Sequence, residues 1–176
     1  MLNLLHIENI AVVARADISF QPGMNALTGE TGAGKSIIID AIGALLGERT
    51  SRDIIRTGEK QAFVSAVFDG CGDAVGARLE SLGLPACDGG TLTVARRVYA
   101  DGRNLCHVNG MNAPLAALRE LGPLLCKSLG QHDSRSLLDP SEHLKLLDGF
   151  AQTEPLLTEY QSALHVLKAI RAEQRT

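Results

Sequence analysis

One glycine-rich segment constrains the fold of this 176-residue chain more than any other feature. The segment matches the pattern G-x-x-x-x-G-K-[ST] and consists of Gly29, Glu30, Thr31, Gly32, Ala33, Gly34, Lys35 and Ser36. Residues 24–28 before it predict a short strand. The apolar run over 35–46 predicts a helix that is buried on most sides and is capped by Gly47. A strand, a glycine loop and a helix in this order indicate a phosphate-binding P-loop.

The residue types in the loop suit a nucleoside triphosphate and a magnesium ion. Glycines let the backbone turn tightly and direct N–H groups at phosphate oxygens, and the following helix adds the positive end of its dipole. The Lys35 ammonium is expected to reach the β- and γ-phosphates, and the Ser36 hydroxyl is expected to ligate Mg²⁺. The sequence contains no N-K-x-D pattern for reading guanine, so ATP is favoured over GTP.

Binding ATP does not by itself predict its hydrolysis. A P-loop hydrolase also needs a carboxylate after an apolar strand to hold Mg²⁺. Apolar stretches precede Asp40, Glu48 and Asp148, but each of these lies in a predicted helix or behind a glycine. The catalytic site is therefore expected to be incomplete in this chain. Gln131, just after an apolar stretch, is a candidate for the Mg²⁺ shell, and a polar loop residue without a catalytic role is the alternative.

Elsewhere, the hydrophobic pattern predicts both strands and helices. The predicted strands are 2–9, 11–20, 61–69, 91–100, 103–108 and 123–129, with a hairpin turn at Asp101-Gly102. The predicted helices are 73–83, 113–121 and one with Asp139 as its N-cap and Pro140 at its first position. Together with the P-loop, the pattern indicates an α/β fold with a β-rich lobe from residues 1–28 and 60–109.

The last segment, 152–176, has the spacing of a helical seam. Its apolar residues Leu156, Tyr160, Ala163, Leu167 and Ile170 recur at intervals of four and three. The spacing fits a coiled coil or an ordinary amphipathic helix. Because the pattern continues to the last residue without a stop signal, we expect a fragment that ends within a long helix. The predicted domains are therefore 1–151 and 152–176.

Composition and charge exclude several classes of protein. The formal net charge is −3, so the chain as a whole is not a basic nucleic-acid-binding protein. The four cysteines are widely spaced and indicate neither a zinc site nor a disulfide framework. The N-terminus lacks the features of a signal peptide, and no stretch is long enough to span a bilayer, so we expect no membrane partner and a cytoplasmic location.

Two groups of arginines are candidates for contacting a nucleic-acid backbone. Arg52 and Arg56 follow the P-loop helix, and Arg96, Arg97 and Arg103 surround the predicted hairpin turn. The alternatives are solvated surface arginines for the first group and a charged hairpin edge for the second. Given the net charge of −3, DNA binding by this chain alone is expected to be weak and salt-sensitive.

With these residues in place, the chain resembles the N-terminal half of the ATPase head of the RecN family. The members are SMC-like bacterial proteins of DNA double-strand-break repair. The resemblance covers essentially the whole chain. It rests on Leu5–Val13, Leu27–Ile37, Leu46–Arg49, Ile55–Gly58, Arg96–Tyr99 with Val108–Gly110, and Gly130–Asp133. Ile37 is counted with the cofactor-binding residues of the loop, although it departs from the general ABC pattern, in which a hydroxyl residue often follows the P-loop serine.

The resemblance implies a P-loop NTPase of the ABC/SMC head type with a mixed sheet. In this family a C-terminal half carries the Walker B and signature motifs, and it returns along a coiled coil rooted here at 152–176. Two heads then enclose two ATP molecules and engage DNA ends, near the nucleoid. Gln131 matches the Q-loop position, and Arg52 and Arg56 resemble an arginine loop. This chain alone is then expected to be inactive or very weak as an ATPase.

Two other readings remain open from the residues. One is a self-sufficient P-loop kinase or GTPase, and the other is a dimerisation module whose nucleotide only gates assembly. For the nucleotide, Asn9 and Ala11 in the first β-turn are candidates for the adenine side, and Arg56 for the γ-phosphate. A sheet that lacks its second half would expose an edge, so the isolated chain is expected to behave poorly.

Overall fold

The computed structural model describes residues 1–29, 34–126, 140–151 and 153–173. The chain divides into two units, 1–127 and 128–176. Within the described residues, no helix is both long enough and apolar enough to cross a membrane.

The first unit is organised around one antiparallel sheet. Its strands are β1 (Leu2–Ile10), β2 (Val13–Ser19), β3 (Gln61–Phe68), β4 (Leu92–Tyr99), β5 (Asn104–Val108) and β6 (Met111–Ala113). They lie in the order β2-β1-β3-β4-β5-β6, and every neighbouring pair is antiparallel. The described strands therefore make the antiparallel part of the expected mixed sheet. The hairpin at Asp101-Gly102 is confirmed, whereas β6 was not predicted.

Three helices share one hydrophobic core with the sheet: α1 (Gly34–Leu45), α2 (Asp73–Ser81) and α3 (Leu115–Leu125). Alternate residues of each central strand point into this core, as Val64 and Ala66 do on β3. The helices contribute Ala41, Leu79 and Leu118, each at most 1% exposed. The predicted strands at 2–9 and 61–69 and the P-loop helix are confirmed by these elements. The apolar face of the sheet and the apolar faces of the three helices thus pack into one shared core.

The strand predicted at 24–28 is wrong. Residues 24–29 form no strand, and the Met24 side chain is 94% exposed. The Asn25 side chain closes a local loop instead: its Oδ1 accepts from the Gln21 N–H at 2.9 Å, and its Nδ2 donates to the Gln21 carbonyl at 2.8 Å. Asparagine competes with strand pairing in this way because its amide can satisfy nearby backbone groups.

The predictions for residues 113–129 are also corrected. Residues 123–125 belong to α3 rather than to a strand, and the Cys126 N–H donates to the Gly122 carbonyl at 3.0 Å. The helix continues beyond residue 121 because Leu125 is partly buried against the core and so extends its apolar face. The remainder of the predicted strand, 127–129, lies outside the described residues. The helix begins at Leu115, since 111–113 pair with β5. The P-loop helix is less enclosed than expected, because Ile39 is 57% exposed.

The second unit contains two described helices, α4 (Pro140–Ala151) and α5 (Glu154–Glu173). Thr153 joins them, and its Oγ1 donates to Asp148 Oδ1 at 3.0 Å. The helix predicted to start near Pro140 is confirmed, while Asp139 lies outside the described residues. On α5, Leu156 and Tyr160 of the predicted seam are 66% and 63% exposed. The boundary predicted at 151/152 and a coiled coil beyond it stay predictions.

The outer face of the sheet carries a histidine between two carboxylates. His6 Nδ1 lies 2.5 Å from Asp17 Oδ1, and its Nε2 lies 3.0 Å from Glu8 Oε1. Burial lowers the pKa of His6, but the hydrogen bonds to Asp17 and Glu8 outweigh it, so the pKa is raised. The same bond from His6 holds the pKa of Asp17 below its usual value.

His6→Gln is expected to remove a pH-dependent part of the stability. Because the folded-state pKa of His6 is raised, its contribution is complete below about pH 6.5 and is lost as the pH rises through the folded pKa. In urea unfolding, the free energy of unfolding of the wild type should therefore exceed that of His6→Gln by up to about 1 kcal/mol at pH 5.5, and by less at pH 8. His107→Gln is the control, since His107 on β5 has no ion pair among the described residues. A pH-independent gap would contradict this assignment.

Candidate nucleotide-binding site

The site begins where α1 starts, at the end of the glycine loop. Lys35 lies in the first turn of α1, and its Nζ donates a hydrogen bond to the Gly29 carbonyl at the other end of the loop. Ser36 is exposed beside it, whereas Ile37 is 7% exposed and points to the core. The ammonium and the hydroxyl thus lie at the helix end that attracts phosphate. The loop residues Glu30, Thr31, Gly32 and Ala33 lie outside the described residues.

The turn between β1 and β2 is bonded to the segment that follows α1. The Ala11 N–H donates to the Ile54 carbonyl at 2.8 Å, and the Arg56 N–H donates to the Asn9 carbonyl at 2.9 Å. Asn9 and Ala11 have φ angles of +54° and +49°, a region that alanine adopts rarely. The structure therefore brings the candidates Asn9, Ala11 and Arg56 together, and it stores strain at Ala11 of the kind often found at binding sites.

A cavity of about 330 Å³ lies between α1 and this bonded segment. Its lining comprises Ile10, Ala11, Ile37, Asp40, Ala44, Glu48, Arg49, Thr50, Ser51, Asp53 and Ile54. Three carboxylates against one arginine would repel a triphosphate, so the cavity itself is not the phosphate site. The candidates for phosphate contact remain the groups at the start of α1. Of this lining, the sequence indicated only Ala11 and Ile37, because the other residues are scattered over three segments without a motif.

Arginines satisfy the carbonyl groups at the opposite end of α1. Gly47 ends the helix as predicted, with φ at +88°, and the Glu48 N–H donates back to the Gly43 carbonyl at 3.0 Å. The Arg119 Nε donates to the Gly47 carbonyl at 2.9 Å. Arg96 Nη1 donates to the Glu48 carbonyl at 2.9 Å. These side chains fasten the end of α1 to α3 and to the sheet.

The assignment of Arg96 to DNA contact is therefore wrong. Arg96 is 2% exposed, so its guanidinium cannot reach a phosphate outside the fold. The sequence prediction grouped Arg96 with Arg97 and Arg103 because all three are near the hairpin. Successive residues of a strand point to opposite faces, however, so Arg96 and Arg97 cannot share one surface. Arg97 lies on the outer face, where its guanidinium stacks 5.0 Å from the centre of the Phe63 ring.

The other candidate arginines lie at two places. Arg103 is at the hairpin, where its Nε donates to Asp101 Oδ2 at 2.7 Å. This contact lowers the pKa of Asp101 through the backbone and side-chain hydrogen bonds from Arg103. The Arg52 guanidinium lies over Gly102 of the same turn. Arg56 is instead half-buried beside the first β-turn, as its bond to Asn9 requires. Gln131 lies outside the described residues.

The chain is similar in sequence to proteins of a known family. A model of the AAA domain matches residues 4–79. The DNA repair protein RecN of Halalkalibacterium halodurans is 44% identical over 165 residues, which are 92% of this chain and 29% of that protein. RecN of Bacillus subtilis is 41% identical over 165 residues, covering 92% of this chain and 28% of that protein. The chain belongs to the RecN family. The resemblance that the motifs indicated is thereby confirmed.

A solved structure supports the fold assignment. The Smc head domain with a coiled coil and joint from Pyrococcus yayanosii superposes with a TM-score of 0.63 at 25% identity. The match covers 98% of this chain and 36% of that one. The fold is thus the N-terminal part of a P-loop NTPase head of the SMC/ABC type. This RecN-family chain spans less than a third of the length of the two RecN proteins.

Proposed function

We propose that the chain is the ATP-binding half of a head that hydrolyses ATP in DNA double-strand-break repair and recombination. A C-terminal half of the same head would supply the Walker B carboxylate and the signature motif. A second head would complete the sandwich around two ATP molecules, and DNA would be engaged near the nucleoid in the cytoplasm. The observation that carries the proposal is the placement of Lys35 and Ser36 at the start of α1, across the loop from Gly29.

The residues present fit a nucleotide with its magnesium ion. Lys35 would contact the β- and γ-phosphates as the catalytic lysine, and Ser36 would offer its hydroxyl to Mg²⁺. The bound ion would offset phosphate charge during phosphoryl transfer. We assign the Mg²⁺ and water role to Gln131 on sequence alone. The strained turn at Asn9 and Ala11 would face the adenine side, and Arg56 the phosphates.

The exposed arginines supply the proposed DNA contact. Arg52 and Arg103 lie at the same hairpin turn, and the Arg103 side chain is 74% exposed. Asp101 offsets part of this charge, so contact with the DNA backbone by this turn would be weak and salt-sensitive. Arg97 adds a partly exposed cation on the outer face of the sheet. The assignment now rests on Arg52, Arg56, Arg97 and Arg103, without Arg96.

Steady-state ATP turnover tests the split head. The chain alone is expected to show no turnover, and addition of the C-terminal half of the head is expected to restore it. Turnover by the chain alone would instead indicate a complete kinase or GTPase with a carboxylate of its own. Tight ATP binding without turnover, even with both halves present, would indicate a module in which the nucleotide only controls assembly.

A further inference from the structure

Arg96 is the one buried charged residue in the described part of the chain. It lies on the inward face of β4, between Val64 of β3 and Cys106 of β5. The alternation of the strand would place an apolar residue there. Burial lowers the pKa of the guanidinium, although an arginine stays charged in proteins. A charge in such a place persists only when the surrounding groups replace its lost water.

The surroundings of Arg96 satisfy its whole donor set. A guanidinium has five N–H donors. Nε and Nη2 donate to Asn104 Oδ1 at 3.0 and 2.9 Å, and Nη2 also donates to Thr50 Oγ1 at 3.0 Å. Nη1 donates to the carbonyl oxygens of Ala44 and Glu48 at 2.6 and 2.9 Å. The charge is thus held at the C-terminal end of α1, where the helix dipole favours a cation.

We propose that Arg96 is a positioning residue for the nucleotide site and acts on it through α1. The inference rests on the proposed nucleotide-binding function. α1 has 12 residues and is about 18 Å long, and Arg96 holds one end of it while Lys35 and Ser36 lie at the other. A helix of this length moves nearly as a rigid rod. A displacement of its C-terminal end therefore moves the phosphate-binding end. Hydrogen bonds to phosphate tolerate little movement there, because their donor–acceptor distances fall in a window only about 0.5 Å wide.

The same guanidinium also fixes the wall that faces α1. Its partners Glu48 and Thr50 begin the segment that continues through Ile54 to Arg56, which is bonded to the first β-turn. Loss of Arg96 would therefore loosen α1 and the opposite wall of the cavity together. A lysine could not replace it, because an ammonium has three donors in place of the planar set of five.

Titration of the 176-residue chain with MgATP, well below its unfolding temperature, tests whether Arg96 positions the nucleotide site or only stabilises the fold. The variants are Arg96→Met and, as the matched control, Arg15→Met at an exposed arginine of β2 that belongs to no proposed site. Arg96→Met is expected to keep about one site per chain while its Kd rises roughly tenfold, and Arg15→Met is expected to leave both the number of sites and the Kd unchanged. A purely structural role would instead reduce the number of sites at an unchanged Kd, and that result would overturn the inference.

Hydrogen exchange without nucleotide tests Arg96 independently of ATP binding. In Arg96→Met, the amides of Leu46, Gly47 and Glu48 are expected to exchange at least about tenfold faster, while those of α2 stay as in the wild type. If the wild-type chain binds no ATP, the proposed function fails, and unchanged exchange at these amides separately overturns the role of Arg96. Should Arg96→Met not fold, Asn104→Ala keeps the arginine and removes the acceptor of Nε. We then expect a Kd about threefold higher, and an unchanged Kd would count against the inference.

Discussion

Lys35→Ala is expected to weaken ATP binding by about tenfold to a hundredfold. Hydrogen bonds to charged groups contribute roughly 1.5–3 kcal/mol, and each 1.4 kcal/mol corresponds to a factor of ten in Kd. Lys35 is the lysine at the start of α1, and its Nζ lies next to the Gly29 carbonyl, where the loop closes. When a phosphate binds, the Lys35 ammonium would therefore exchange a hydrogen bond to a neutral carbonyl for one to a charged oxygen. Titration with a fluorescent ATP analogue measures the change.

Lys60→Ala is the matched control for this result. It removes the same charge from the chain, but Lys60 is exposed just before β3. Its backbone carbonyl accepts from the Ala100 N–H at 2.9 Å, a bond that the substitution leaves in place. ATP affinity should stay at the wild-type value in Lys60→Ala. Equal ATP affinities of Lys35→Ala and Lys60→Ala would show that Lys35 does not bind the phosphates.

Gly47→Ala is expected to destabilise the fold by about 2–5 kcal/mol. The residue has a φ of +88°, where a side chain costs roughly 1–2 kcal/mol. A Cβ there would also lie 2.7 Å from the Arg119 backbone N and 2.8 Å from its Cγ. Because a backbone atom cannot move aside, overpacking adds about 1–3 kcal/mol. Urea unfolding monitored by circular dichroism gives the difference in the free energy of unfolding.

Gly58→Ala separates the two causes. Gly58 has nearly the same φ, +91°, but a Cβ there would meet no atom within 4 Å. Its cost should therefore be the conformational part alone, about 1–2 kcal/mol. The difference between the variants measures how closely the end of α1 approaches α3. Equal losses in Gly47→Ala and Gly58→Ala would mean that the two helices adjust to the added methyl group.

The strands with clear alternation could be predicted from the sequence. β3 and β4 alternate strictly between inward and outward residues, and Asp101-Gly102 marks the turn between β4 and its hairpin partner β5. The short β6 escaped prediction because three residues carry too little periodicity. The strand predicted at 24–28 failed for a different reason: an apolar run predicts pairing only where a neighbouring strand is available. There, Asn25 bonds to Gln21 instead.

The site could be predicted in part. The P-loop motif located Lys35 and Ser36 because its chemistry depends on residue order alone. The grouping of Asn9 with Arg56 required the fold, since backbone bonds between distant segments leave no mark on side-chain patterns. Arg96 was assigned to the surface because an arginine on a strand is normally solvated. Its burial is explained by its hydrogen-bond acceptors, which lie on Asn104 and on the segment from Ala44 to Thr50.

The position of β3 in the sheet has a consequence for the order of folding. β1 pairs with β2 and β4 pairs with β5 through short connections, so both hairpins can form from local contacts. β3 lies between β1 and β4, and the whole P-loop segment is inserted between β2 and β3. Closing that long loop carries the largest entropic cost in the sheet. We therefore expect α1 to reach its place only as the two hairpins are joined, late along the folding path.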